Sequence, residues 1–117
     1  IAGDLNIAPY ENDVWSHNQL KNVVSHTEIE RTKLLDILKN GDFIDTFKLL
    51  IPSSENIFTW WSYRSPDFRV HNRGRRLDHI WVSKNSSFKL KKAKIIKEFR
   101  ELEKPSDHVP IVLEISV

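Results

Sequence analysis

The sequence predicts a mixed α/β (α+β) domain. Three features say so: a helix between matched caps near residues 27–41, several short segments rich in β-branched and aromatic residues, and a final segment with a period of two. At 117 residues the chain suffices for one domain with a core, but not comfortably for two.

Ile1–Ala2 reads as the end of a strand, and Gly3-Asp4-Leu5-Asn6 as the loop leaving it. Residues 8–26 are polar and irregular with a few apolar anchors, which suits a loop with a short turn of helix. Thr27-Glu28-Ile29-Glu30 is a capping box, in which the threonine hydroxyl takes an orphan N–H and Glu30 reaches back. The helix it starts runs to about Lys39, presents Ile29, Leu34, Leu35, Ile37 and Leu38 as a broad apolar face, and stops at Asn40-Gly41. FIDTF (43–47) predicts a short strand, 52–56 a turn, and IFTWWSY (57–63) a second strand. An arginine-rich loop containing Pro66 and Gly74 covers 64–74. RLDHIWVS (76–83) and FKLKKAKII (88–96) are strands around a turn at 84–87. The last nine residues alternate, with Val109, Ile111, Leu113, Ile115 and Val117 on one face of a half-buried strand.

Charge is unevenly spread behind a formal net charge of +2. Residues 1–60 carry a balance of −4, residues 61–100 one of +9, and residues 101–117 one of −3. A basic block with interleaved aromatics suits a polyanion surface; the plain alternative is a solvated charged face. No apolar run approaches the ~20 residues of a membrane helix. With no cysteine, disulfides and thiolate metal sites are excluded, and a cytoplasmic location is the natural expectation.

Four local features carry candidate chemistry. Gly3-Asp4-Leu5-Asn6 is either a plain turn or a strand end offering a carboxylate beside an amide. Trp60 and Trp61 are neighbours in a predicted strand, so one can pack inward while the other meets a nucleobase or sugar. Asp78 lies between Leu77 and Ile80 in a strand otherwise fit for burial, so it needs a partner, either an arginine or a histidine that it orients. His79 points the opposite way, as a structural or surface residue. Ser106-Asp107-His108-Val109-Pro110 sets an acid and an imidazole at the start of the terminal strand. If Asp4, Asn6, Asp78, Asp107 and His108 converge, they form a metal- and phosphate-binding site with a general base.

GDLN, FTWWSYR, RGRRLDHI and KPSDHVPI, in this order and at these separations, resemble the C-terminal half of exodeoxyribonuclease III and the related abasic-site (AP) endonucleases. These belong to the endonuclease–exonuclease–phosphatase superfamily, and the resemblance covers essentially the whole chain. GDxN and SDHxP mark the superfamily; the tryptophan block and the R-x-L-D strand narrow it to the DNA-repair branch.

The resemblance implies the C-terminal half of a four-layer αββα sandwich, with a mixed, mostly antiparallel sheet and a helix on its outer face. It implies divalent-metal-dependent hydrolysis of DNA phosphodiesters, as a 3'-5' exonuclease and abasic-site endonuclease in base excision repair. Asp4 would activate or position water, and Asn6 would help hold that group and the phosphate. Asp78 would bond His108, whose cationic ring would bind the scissile phosphate. Asp107 would lie beside Mg2+ or Mn2+, with Asp4 and Asn6 as further candidate metal ligands. Trp60 and Leu77 would wall the pocket for a flipped-out abasic sugar, where some relatives also have tryptophan at the position of Arg75. Arg64, Arg69, Arg73 and Arg75 would track backbone phosphates of double-stranded DNA, especially at abasic sites and 3' ends.

The resemblance further implies a bacterial, nucleoid-associated cytoplasmic protein. Residues 1–117 are expected to be a fragment of the domain whose N-terminal half is absent, inactive or nearly so alone, and prone to self-association or pairing with that half. Two other readings stand beside it. One is another superfamily phosphoesterase: a retrotransposon-type endonuclease, an inositol-phosphate phosphatase or a sphingomyelinase-like enzyme. The other is a non-catalytic DNA-binding module.

Overall fold

The computed structural model describes residues 1–65 and 67–117; Pro66, in the predicted arginine-rich loop, lies outside the described residues. In chain order the elements are β1 (Ala2–Asp4), a 3-10 turn (Glu11–Asp13), α1 (His17–Leu20), α2 (Glu28–Asn40), β2 (Phe43–Asp45), α3 (Thr46–Leu50) and β3 (Trp60–Trp61). They continue with α4 (Phe68–His71), β4 (Gly74–Arg75), β5 (Asp78–Ser83), β6 (Lys89–Ile95), a second 3-10 turn (Lys97–Glu101) and β7 (Ile111–Ser116). Strands β1-β5-β2 form one sheet, while β3-β4 and β6-β7 form two-stranded ribbons. Every ladder among the described residues is antiparallel.

The capping box forms as read. Thr27 Oγ1 accepts from Glu30 N at 3.4 Å, and Glu30 Oε1 accepts from Thr27 N at 3.2 Å. At the other end, Gly41 keeps an ordinary negative φ and Asp42 takes the left-handed turn at φ 52°. Glycine is needed at 41 for room: a Cβ there would meet the Phe43 ring at 2.4 Å. The apolar face of α2 is narrower than expected. Leu34 is buried and Leu35 and Leu38 half-buried, whereas Ile29 and Ile37 are exposed. At ~100° per residue, Leu34, Leu35 and Leu38 share one side and Ile29 turns away from it.

Other boundaries shift for local reasons. The strand predicted over 43–47 ends at Asp45, whose side chain accepts from Lys48 N at 3.5 Å and opens α3. Thr46 Oγ1 donates to Ile80 O at 2.6 Å, tying α3 to β5. The predicted loop 64–74 contains α4, capped by Asp67, and gives way at Gly74 to β4. Of the segment 57–63, only Trp60 and Trp61 join a ladder.

The buried apolar residues form two clusters: Ala8, Val14, Leu20 and Leu77 in one, and Phe58, Trp61 and Val109 in the other, with Trp15 packed against both. The terminal strand alternates at its start, with Val109 buried and Ile111 and Leu113 half-buried, but Ile115 and Val117 are exposed.

The interior also holds a charged network. Arg76, fully buried, donates from Nε and Nη2 to the two Asp13 oxygens at 3.0 Å each. It donates from Nη1 and Nη2 to the Asp45 oxygens at 2.9 and 2.8 Å. Burial alone lowers the Arg76 pKa, but the charges of Asp13 and Asp45 outweigh that and raise it. The same contacts hold the Asp13 carboxyl below its usual range against its own burial. This network clamps the 11–13 turn and the start of α3 to the residues that lead into Asp78.

Candidate active site

Three backbone junctions bring the site together. The β1–β5 register sets Asp4 directly opposite Asp78. Gly3 reaches that point at φ 138°, a conformation that side chains rarely adopt. The backbone of Thr59 and Trp61 bonds residues 107–109, with Val109 N to Thr59 O at 2.9 Å and Trp61 N to Asp107 O at 3.1 Å, which places His108 opposite Trp60. Finally, β3 pairs Trp60 with Arg75.

At the meeting point His108 Nδ1 donates to Asp78 Oδ2 at 2.8 Å, and its Nε2 lies 3.7 Å from Asp4 Oδ2. Thr59 Oγ1 donates to the same Asp78 oxygen at 2.6 Å and accepts from the backbone N–H of Leu77 and Asp78 at 3.1 Å each. Burial pushes the His108 pKa down. The hydrogen bond and charge of Asp78, followed by the charges of Asp4 and Asp107, overcome this and raise it above the ordinary histidine value.

Asn6 takes φ 57° and donates its backbone N–H to Asp4 Oδ1 at 2.8 Å, closing a small turn that steers the Asp4 carboxylate. Asp107 accepts from Trp60 Nε1 at 3.0 Å. Of the two tryptophans, Trp61 is fully buried and Trp60 half-buried. Leu77, read from the sequence as a pocket wall, is 4% exposed and belongs to a core cluster against which Trp60 packs. His79 is structural: it is fully buried with Nε2 2.8 Å from Ile7 O.

The four arginines differ in what holds them. Arg64 and Arg73 are exposed, Arg69 pairs with Glu101, and Arg75 donates to Val24 O at 3.2 Å while lying over the Trp60 ring. Asp4, Asp78 and His108 each offer one ligand atom within 4.8 Å of the others, an acidic group of the size that holds a cation. His108 and Asp78 already satisfy each other across 2.8 Å, so the carboxylate of Asp4, with 46% of its side chain exposed, is the most available donor of the three.

Residues 1–108 match the Endonuclease/Exonuclease/phosphatase family. The chain belongs to that family. Exodeoxyribonuclease III of Haemophilus influenzae is 34% identical over 120 residues, which cover 97% of this chain and 44% of that protein. Among solved structures in the family's α/β sandwich fold, an AP endonuclease from Archaeoglobus fulgidus superposes with a TM-score of 0.92 at 34% identity. A Neisseria 3' phosphatase bound to a product DNA hairpin gives 0.88 at 30%. Both structures match 99% of this chain and 44% of their own. The chain thus spans less than half the length of these relatives. The α/β class and the family read from the sequence are both upheld.

Thr59 and Arg76 are the residues that sequence reasoning passed over. Both sit inside motifs it quoted, Thr59 beside the tryptophans and Arg76 before Leu77-Asp78. A threonine in an aromatic strand reads as ordinary β-propensity, and Arg76 in a run of arginines reads as surface charge. The acidic partners of Arg76 lie 31 and 63 residues away, where spacing carries no signal.

Proposed function

We propose that the protein carrying this sequence is a DNA-repair nuclease that hydrolyses DNA phosphodiesters at abasic sites and 3' ends with the help of a divalent cation. The observation that carries the reading is His108 between two carboxylates, hydrogen-bonded to Asp78 and 3.7 Å from Asp4. A pure DNA-binding module has no use for an imidazole held this way.

His108, kept protonated to a higher pH than usual, donates to a phosphate oxygen as negative charge builds there. Asp78 positions the ring and Thr59 positions Asp78. Asp4 takes a proton from water as the water oxygen bonds to phosphorus and the P–O bond to the leaving sugar oxygen breaks. Asn6 steers Asp4 and helps hold the phosphate.

The donor set fits a hard cation: Asp4, Asp107 and Asn6 all offer oxygen and no cysteine is present, so Mg2+ or Mn2+ is the ion these residues would hold. When bound, such an ion polarises the phosphate and stabilises the leaving oxygen. Trp60 flanks the sugar, and the exposed Arg64 and Arg73 follow the backbone. Similarity to bacterial exodeoxyribonucleases supports placing the protein in the cytoplasm, with the nucleoid.

The test is nicking of an abasic duplex with Mg2+ or Mn2+, run beside hydrolysis of phosphoinositides. Cleavage of the duplex alone is expected; phosphoinositide hydrolysis without nicking overturns the reading. Because the relatives are more than twice as long, the 117-residue chain and a polypeptide extended to their length are assayed together, with turnover expected mainly from the longer one.

A further inference from the structure

We propose that the lysine-bearing face of the β6–β7 ribbon is a second contact surface for duplex DNA, apart from the hydrolytic cluster of Asp4, Asp78 and His108. This rests on reading nucleic acid as the substrate, and concerns the DNA beyond the bond that is cut.

The face is made by a break in the ladder. In a regular strand, KLKKAKI (89–95) would put Lys89 and Lys91 on one side and Lys92 and Lys94 on the other. Here Leu90 pairs with Ile115 and Lys92 with Glu114, so Lys91 is an extra residue taken up between them. Lys89, Lys92 and Lys94 then pair with Ser116, Glu114 and Val112, which alternation sets on one face of β7. Leu90, Ala93 and Ile95 pair with Ile115, Leu113 and Ile111 on the other. Burial of that apolar side accounts for the sorting, but not for what stands opposite it: every exposed position of β6 is a lysine.

Same-face neighbours on a strand lie about 7 Å apart, so these ammonium groups form a row instead of converging on one point. A row suits a repeating anion, not a lone phosphate. It is also uncompensated: among the described residues the lysines in ion pairs are Lys48 and Lys84, and none belongs to β6. Lysines on a ribbon edge deter pairing between molecules, but scattered charge does that as well as a row. DNA is the polyanion the position favours. Lys94 pairs with Val112, four residues along the chain from His108, a separation of at most about 14 Å. One turn of duplex, about 34 Å, is long enough to touch both.

The test is binding of the 117-residue chain to a lesion-free duplex in EDTA, by fluorescence anisotropy at several salt concentrations. Each phosphate contact contributes about 0.9 to the slope of log affinity against log salt, so Lys92→Thr with Lys94→Thr should lower it by more than one and up to about 1.8. Lys33→Gln with Lys39→Gln removes the same charge from exposed positions on α2 and should leave the slope unchanged. Circular dichroism checks folding. On the unsubstituted chain, duplex should shield Lys89, Lys92 and Lys94 from acylation, read by mass spectrometry, and leave Lys33 and Lys39 reactive. A folded threonine pair with the parent slope overturns the proposal. So does an equal loss in the α2 pair, which would make net charge the cause, or acylation of the β6 lysines that duplex does not change. Phosphatidylserine vesicles and poly-glutamate are titrated with the same variants; weaker binding to either with the DNA slope kept would give the row to a membrane or an acidic protein instead. No hydrolysis is read, so failure to nick with the slope change intact counts against the nuclease reading alone.

Discussion

Thr59 donates its hydroxyl to the Asp78 oxygen that also accepts the His108 ring, at 2.6 Å, while its lone pairs take the backbone N–H groups of Leu77 and Asp78. One fully buried side chain therefore satisfies three groups at the start of β5. Replacing it by valine keeps the shape, takes the partner from the two N–H groups and leaves the Asp78 oxygen with His108 alone. Thr59→Val should lower stability by about 1–3 kcal/mol, the cost of leaving buried polar groups unpaired. Urea denaturation measures it, and an unchanged midpoint would show that Thr59 only fills space.

Asp78→Asn keeps the hydrogen-bonding shape but removes the charge that opposes burial at His108. In a polypeptide extended to the length of the relatives, abasic-site nicking near neutral pH should fall by about 10²–10³-fold, as when a preorganised electrostatic partner is lost. The Michaelis constant should change little, because the effect acts on the charged transition state. A variant within threefold of the parent would remove Asp78 from the mechanism.

Much of this site is legible in the sequence because its parts are local. A glycine before Asp4, a capping box at Thr27 and Glu30, and an acid–imidazole pair before an alternating strand are all signalled within a few residues. What escapes is whatever depends on pairing across the chain. Asp45 reads as a strand residue until α3 needs a cap, and Arg76 reads as surface until Asp13 and Asp45 close around it. The two-residue β4 has no periodicity to detect; its partner Trp60 and the close approach of Gly74 to Phe58 define it.

The Arg76 network should be costly to open from either side. Asp13→Ala removes both acceptors of a bidentate contact and leaves a fully buried guanidinium with Asp45 alone. Breaking a buried pair by deleting one partner costs about 3–5 kcal/mol, so the variant should melt well below the parent or fail to fold. Arg76→Lys should also be severe, since one ammonium cannot serve two carboxylates in a fork geometry. Differential scanning calorimetry of both variants checks this. A small shift for each would mean that the network is dispensable.

Acid sensitivity follows from two fully buried histidines. Burial lowers the pKa of His26, against the pull of the Ala8 carbonyl, and lowers that of His79, where the Arg76 charge adds to it. With folded values below the ~6.5 of the unfolded chain, the folded state binds fewer protons, and stability falls as pH drops below that value. His108 has the opposite sign: its raised pKa contributes stability below about 6.5 that fades as pH rises through the folded value. Its ring is 30% exposed, so it offsets only part of the change. The urea midpoint should therefore be lower at pH 5.5 than at pH 7.5. His79→Gln, which can still donate to Ile7 O, should flatten the difference. A midpoint that rises on acidification would contradict the balance.

The basic surface makes separable predictions for Arg64 and Arg69. Each phosphate neutralised by a cation on duplex DNA contributes about 0.9 to the slope of log affinity against log salt. Arg64 is exposed, and its backbone N–H is its only contact in the hydrogen-bond network of the described residues, to Ser62 Oγ. Arg69 is held by Glu101. Arg64→Ala should therefore lower the slope by nearly one, while Arg69→Ala lowers it less, because that guanidinium must leave Glu101 before it meets a phosphate. Glu101→Ala frees Arg69 and should strengthen binding at low salt. Anisotropy titrations of an abasic duplex in EDTA at several salt concentrations measure all three. Equal slopes for Arg64→Ala and the parent would take Arg64 off the DNA path.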